Sequence, residues 1–90
     1  SLMNAYLRGA NLICAQFERA NLEGASLEGA NLGSTNLEGA RFRLARLTNA
    51  NLMNARCKDA GFRLADLRGA DLSGADLRGA DFTDAIGLEI

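Results

Sequence analysis

The chain contains no histidine and no tryptophan, and it has a single tyrosine. Histidine is the commonest general base and a frequent zinc ligand, so its absence removes the residue on which most such sites depend. A glycine-rich loop before a helix can hold a phosphate group, and the sequence contains no such loop. We therefore expect a protein that is not an enzyme and that binds no metal or cofactor.

Long apolar runs are also absent, because polar residues interrupt the sequence every few positions although 48% of it is hydrophobic. No stretch approaches the ~20 apolar residues that span a bilayer. The first ten residues lack the basic and then apolar pattern of a signal peptide. No targeting segment is visible, and we expect a cytoplasmic protein that does not bind membranes.

Charge of one sign is not in excess, since ten basic and eleven acidic residues leave a formal net charge of -1. This total favours neither attraction to phosphate backbones nor the behaviour of a strong polyanion. Nucleic acid is accordingly not an expected partner. The length of 90 residues is that of one small domain.

What the sequence does contain is a period of five residues. Leucine or phenylalanine occupies every fifth position from Leu2 to Phe82, with Cys57 as the one exception. Alanine stands two positions before almost every one of them, and Thr35 is the only substitution. The register does not slip over the whole series.

This period excludes a long helix and a long strand. Five residues turn an α-helix by about 140°, so the leucines would not form one stripe. In a straight strand an odd period would place successive leucines on opposite faces. The chain must therefore turn once per repeat, with Ala-x-Leu as a minimal strand and the next two residues as a corner.

The residues at the second corner position support this interpretation. Glycine, asparagine or aspartate occupies most of these positions, and all three tolerate the positive φ that a type II turn requires at its third residue. Four strands and four corners would enclose a space that four leucines fill. The pattern thus predicts a four-sided coil with an apolar interior.

Motifs such as Ala20-Asn21-Leu22-Glu23-Gly24 and Ala70-Asp71-Leu72-Ser73-Gly74 resemble the A(D/N)LXX signature of the pentapeptide-repeat family. The resemblance implies an all-β fold, a right-handed quadrilateral β-helix of about twenty residues per coil and about four and a half coils. The predicted solenoid covers residues 1–85. Residues 86–90 break the motif and are expected to be a cap or the start of a following segment.

With twenty residues per coil, residues twenty apart are expected to stack in columns about 4.8 Å apart. One interior column would then hold three stacked phenylalanines, which we interpret as core. Cys57 is expected to be a buried hydrophobe, whereas Cys14 lies at an outward corner, so no disulfide is predicted between them. The outward asparagines at 11, 31 and 51 are expected to form a hydrogen-bonded ladder that continues into Asp71.

The charges fall into three blocks along the chain, of -2 over residues 1–40, +5 over 41–63 and -4 over 64–90. Stacking in columns predicts that opposite charges pair between coils. The five expected pairs are Arg8 with Glu28, Glu23 with Arg43, Glu38 with Lys58, Arg46 with Asp66, and Arg56 with Asp76.

Arg41, Arg43 and Arg63 lie close to the phenylalanine column, and we expect them to form a contact that prefers anions. Leu44 and Leu64 are apolar residues at corners where the motif usually has glycine, and each follows Phe-Arg in a repeated Phe-Arg-Leu-Ala segment. Together these five residues are the candidate partner-contact residues.

Two functions remain open at this point. The first is a non-enzymatic protein-protein interaction or scaffold module, in which a rigid solenoid presents its outward side chains to a protein partner. The alternative, which the resemblance implies for some members of the family, is a DNA mimic that regulates a type II topoisomerase. Such mimicry requires a strongly anionic surface, and the +5 block argues against it.

The two ends also lead to an expectation. The sequence begins inside the repeat at Ser1, and Gly87 occupies a position where the repeat has a core leucine. A solenoid without caps exposes apolar cross-sections and unpaired backbone groups. We therefore expect a fragment of a longer chain, or end-to-end pairing of two copies.

Overall fold

The computed structural model describes residues 1–88, and within them the chain winds as a coil with a period of twenty residues. Strands are reduced to single bridging residues at every fifth position from Tyr6 to Ile86, and each bridge is parallel and joins residues twenty apart. No residue of this range is helical, and so no helix is long and apolar enough to cross a membrane. The predicted register is confirmed throughout.

Backbone hydrogen bonds join each coil to the next on every side. In a typical case the Leu22 N–H donates to the Arg41 carbonyl at 2.7 Å, and the Arg41 N–H donates to the Ala20 carbonyl at 2.9 Å. Each strand thus bonds in both directions along the axis, which satisfies the backbone polar groups of the inner coils.

Each corner is a turn in which the N–H of the alanine position donates to the carbonyl three residues earlier, at 2.9 to 3.2 Å. The third residue of the turn has a positive φ at every corner from Asn4 to Asp84. Because φ is positive at this residue alone, the corners have the form of type II turns. The expected corner chemistry is confirmed, although five corners carry residues other than glycine, asparagine or aspartate.

Four sides result, and we number them by their residues in the first coil. Side 1 contains residues 1–5, side 2 residues 6–10, side 3 residues 11–15 and side 4 residues 16–20, each repeated at intervals of twenty. The Cα atoms extend over 26 × 26 × 23 Å, so the solenoid is about as wide as it is tall.

The interior is one apolar cluster that contains the repeated leucines and alanines. Phe42, Phe62 and Phe82 stack with ring centroids 4.9 and 5.0 Å apart and planes within 5° of parallel. Thr35 replaces an alanine and is fully buried, and its hydroxyl donates to the Leu32 carbonyl at 2.7 Å. The buried hydroxyl is therefore satisfied without disturbing the core.

The cysteines lie where the pattern placed them. Cys57 is buried in the side 4 column, and Cys14 is exposed at a side 3 corner. Burial, with a smaller contribution from the charge of Asp76, raises the pKa of the Cys57 thiol to about 12. The thiol is therefore neutral at physiological pH and packs as a small hydrophobe.

The ladder continues one residue beyond the predicted end of the solenoid, because Ile86 still bridges to Asp66. The break comes at Gly87, whose φ is +75°, and Leu88 instead packs against the core. A Cβ at Gly87 would lie 2.6 Å from the Cα of Arg68, so only glycine fits there. The remaining residues of the predicted segment, 89 and 90, lie outside the described range.

Candidate binding surface

The structure brings the five candidate contact residues together on side 1. Arg41, Arg43 and Leu44 belong to the third coil, and Arg63 and Leu64 lie below them in the fourth. The Leu44 N–H donates to the Arg63 carbonyl at 3.0 Å, which joins the two coils at this point. We call this group the arginine–leucine patch.

The two leucines of the patch have a disfavoured backbone conformation. Leu44 has a φ of +62° and Leu64 a φ of +59°, a region that bulky side chains rarely adopt. The two residues remain 47% and 39% exposed, so packing offsets only part of the cost of this conformation. Two neighbouring corners thus carry exposed leucines where glycine would be less strained.

The arginines of the patch are exposed and carry little compensating charge. Arg43 lies 3.5 Å from Glu23, and its side chain is half exposed, so this ion pair contributes only about 0.2 to 1 kcal/mol. Within residues 1–88 neither Arg41 nor Arg63 has a carboxylate within 4.0 Å. The patch therefore has an excess of positive charge.

Carboxylates border the patch above and below. Glu23 lies in the coil before it, and Asp81 lies in the coil after it. The pKa of Asp81 is lowered chiefly because the Thr83 hydroxyl and N–H donate to it, and to a smaller extent by the charge of Arg63.

Only one of the five charge pairs expected from the columns forms, namely Glu23 with Arg43. Glu28 instead pairs with Arg46 at 3.2 Å, and the pKa of Glu28 is lowered first by a hydrogen bond from Ser26 and also by Arg46. Arg46 lies in the coil after Glu28, two residues out of the column that Arg8 and Glu28 share. The expectation was wrong because a long side chain reaches diagonal neighbours as easily as those directly below it.

Asp66 and Asp76 pair within their own coil. In each Asp-Leu-Arg segment the aspartate accepts two hydrogen bonds from the arginine two residues later, at 2.9 and 2.6 Å. Residues i and i+2 of a strand face the same way, and the aspartate also accepts the N–H of that arginine. These contacts lower the pKa of both aspartates, that of Asp76 to about 2. The repeated Ala-Asp-Leu-Arg-Gly-Ala segment was the overlooked signal.

The asparagine ladder on side 3 forms in part. Asn51 donates from Nδ2 to Oδ1 of Asn31 at 3.2 Å. The side-chain oxygens of Asn11 and Asp71 each accept the N–H two residues later instead. No group of three or more potential metal ligands occurs within residues 1–88.

Known proteins are similar to this chain in sequence and structure. The profile of pentapeptide repeats matches residues 1–39, 30–69 and 45–84, with eight copies. No curated protein is significantly similar to the chain in sequence. The sequence match therefore indicates the repeat itself.

Three solved structures show the same architecture. HetL, a pentapeptide repeat protein involved in heterocyst differentiation regulation in Nostoc sp. strain PCC 7120, is 37% identical with a TM-score of 0.89, over 90% of this chain and 38% of HetL. The pentapeptide repeat protein alr5209 from Nostoc PCC 7120 is 35% identical with a TM-score of 0.84, over 86% of this chain and 64% of that one.

The third is AT2G44920, a pentapeptide repeat protein from the Arabidopsis thaliana thylakoid lumen. It is 30% identical with a TM-score of 0.81, over 90% of this chain and 60% of that one. The chain thus spans less than two thirds of each of these proteins. By its repeats and its fold, the chain belongs to the pentapeptide-repeat family and forms a right-handed quadrilateral β-helix.

Proposed function

We propose that this chain is a non-enzymatic protein-interaction module and that the arginine–leucine patch contacts its partner. The observation that carries the proposal is the pair of exposed leucines at positive φ beside three arginines. The interior needs neither leucine, because both point outward from corners. Their presence at a strained, exposed position is explained if a partner buries them.

The solenoid supports such a role because the patch is held by a rigid frame. The backbone atoms of its two coils are hydrogen-bonded to each other and to the coils above and below. Binding therefore orders few additional groups, and the entropy lost on association is small. HetL is involved in heterocyst differentiation regulation, and contacts of this kind would be sufficient for such a role.

The distribution of charge favours this proposal over a DNA mimic that regulates a type II topoisomerase. A mimic of duplex DNA presents closely spaced negative charges. Side 1 instead presents three arginines in two consecutive coils, with Glu23, Asp81 and Asp84 in the coils on either side, so it is not strongly anionic, and the whole chain has a formal net charge of -1.

Site-specific photo-crosslinking tests the proposal. Benzoylphenylalanine is placed at position 44 or 64, and in a control at position 53 on side 3, where Met53 is 41% exposed and thus similar in exposure to the two leucines. Irradiation in a lysate of the source organism should give a discrete protein adduct from positions 44 and 64. The proposal fails if those positions give no adduct, or if position 53 gives the same ones.

A further inference from the structure

We infer that the partner segment bound by the arginine–leucine patch is an acidic amphipathic α-helix that lies along the solenoid axis. This inference rests on the proposed function, and it specifies the partner's chemistry and secondary structure.

The charge of the patch indicates an acidic partner. Arg41, Arg43 and Arg63 project from two consecutive coils, and Glu23 is the single carboxylate within 4.0 Å of any of them among residues 1–88. Guanidinium groups form their strongest hydrogen bonds with carboxylates. A partner that brings two or three carboxylates to side 1 would complete these interactions.

The spacing of the patch distinguishes a helix from a strand. Arg43 and Arg63 occupy one column, so their Cα atoms are separated by one coil, about 4.8 Å. Residues i and i+4 on a helix are about 5–6 Å apart between Cβ atoms, whereas residues i and i+2 on a strand are about 6.6 Å apart. Carboxylates four residues apart on a helix therefore match the column better.

The leucines add a second stripe to this match. Leu44 and Leu64 form the column directly beside Arg43 and Arg63. On a helix, positions i+3 and i+7 form a stripe beside positions i and i+4. A helix with acidic residues on the first stripe and apolar residues on the second would contact both columns at once.

The height of side 1 matches a short helical segment. The Cα atoms of the solenoid extend over 26 × 26 × 23 Å. A helix of about fifteen residues is about 22 Å long and would cover the height of the side.

Fluorescence anisotropy with a designed probe tests the inference. The probe is a dye-labelled helical peptide, stapled on its far face, with glutamate at i and i+4 and leucine at i+3 and i+7. One control replaces both glutamates by glutamine, and another places the leucines on the opposite face. Wild-type protein should bind the probe about five- to tenfold more tightly than either control, with a difference that shrinks at high salt.

Matched variants locate the binding. Arg43→Gln with Arg63→Gln should remove the preference for the acidic probe, whereas Arg46→Gln with Arg56→Gln, which removes the same charge from sides 2 and 4, should retain it. Glutamine keeps most of each side chain, and circular dichroism verifies the fold of both variants. Equal binding of the acidic and neutral probes overturns the inference, as does equal loss in both variants.

Two outcomes separate this inference from the function on which it rests. Crosslinking through positions 44 and 64 without any preference for the acidic probe would overturn the helix and keep the interaction module. Self-association of the chain that Leu44→Gly and Leu64→Gly abolish, seen by sedimentation, would overturn the inference in favour of a second copy on side 1.

Discussion

At the scale of single residues, the outward side chains of this solenoid are held by contacts within their own repeat. An asparagine or aspartate often follows the alanine position of the repeat. On all four sides, such side chains accept the backbone N–H of the residue two positions later. In two repeats an arginine at that later position adds a two-point contact with the carboxylate. The surface is therefore ordered locally and is not held by pairs between coils alone.

Asp76 provides a test at this scale. Its folded-state pKa of about 2 is lowered first by the side-chain hydrogen bond from Arg78. A lowered pKa stabilises the fold at pH values above the unfolded pKa of about 3.9, and this contribution is lost as the pH falls through about 2. Arg78→Gln should raise the pKa of Asp76 towards its usual range, measured by NMR titration of the carboxyl carbon. An unchanged midpoint would contradict the assigned contact.

At the scale of the repeat, the corners of successive coils interlock. A polar corner residue leans over the glycine twenty positions later, so that a Cβ on the glycine would lie 2.1 to 2.2 Å from the side-chain oxygen. The four pairs of this kind are Asn4 with Gly24, Asn49 with Gly69, Asn54 with Gly74, and Asp59 with Gly79. Glycine is thus required at these corners for space as well as for positive φ.

Gly74 and Gly29 separate these two requirements, because their φ values are +71° and +66° but only Gly74 has a neighbour within 4 Å. Gly29→Ala should cost about 1 to 2 kcal/mol in unfolding free energy from the left-handed conformation. Gly74→Ala should cost about 1 kcal/mol more, since the Asn54 side chain must leave its rotamer. Denaturant unfolding measures both.

The control for this difference is Asn54→Ala. In that background the extra cost of Gly74→Ala should disappear, because the obstructing side chain is gone. An equal cost of Gly74→Ala in both backgrounds would show that the corner contact contributes nothing.

The five-residue period made most of this architecture predictable from the sequence. Strict recurrence of leucine and alanine determines the coil, the interior columns and the phenylalanine stack, because only one register buries them. The contacts of Asp66 and Asp76 were missed because columns describe neighbours between coils and not those two residues apart. The three patch arginines were expected beside the phenylalanine column, and the structure places them there together with Leu44 and Leu64. The contact of these residues with a partner stays a prediction.

At the scale of the whole molecule, stability depends on a thin apolar interior that each coil completes for its neighbours. Leu52 is fully buried, and its neighbour Met53 is 41% exposed on side 3. Leu52→Asp would bury an unpaired carboxyl group at a cost comparable with the 5–15 kcal/mol that stabilises most domains. We expect this variant to be unfolded by circular dichroism, and Met53→Asp to keep the native spectrum. A native spectrum from Leu52→Asp would contradict the inward assignment.

The central claim is that the interior determines the shape and the arginine–leucine patch determines the binding, so that the two can be separated. The most direct measurement uses wild-type protein and the variant Arg41→Ala, Arg43→Ala, Arg63→Ala as parallel baits, with quantitative mass spectrometry of the captured proteins and thermal unfolding of both baits. The account predicts unfolding midpoints within about 12 °C, since exposed substitutions rarely change stability by more than about 0.5 kcal/mol each. It also predicts a partner that only the wild-type bait retains. Equal capture by two folded baits would contradict it.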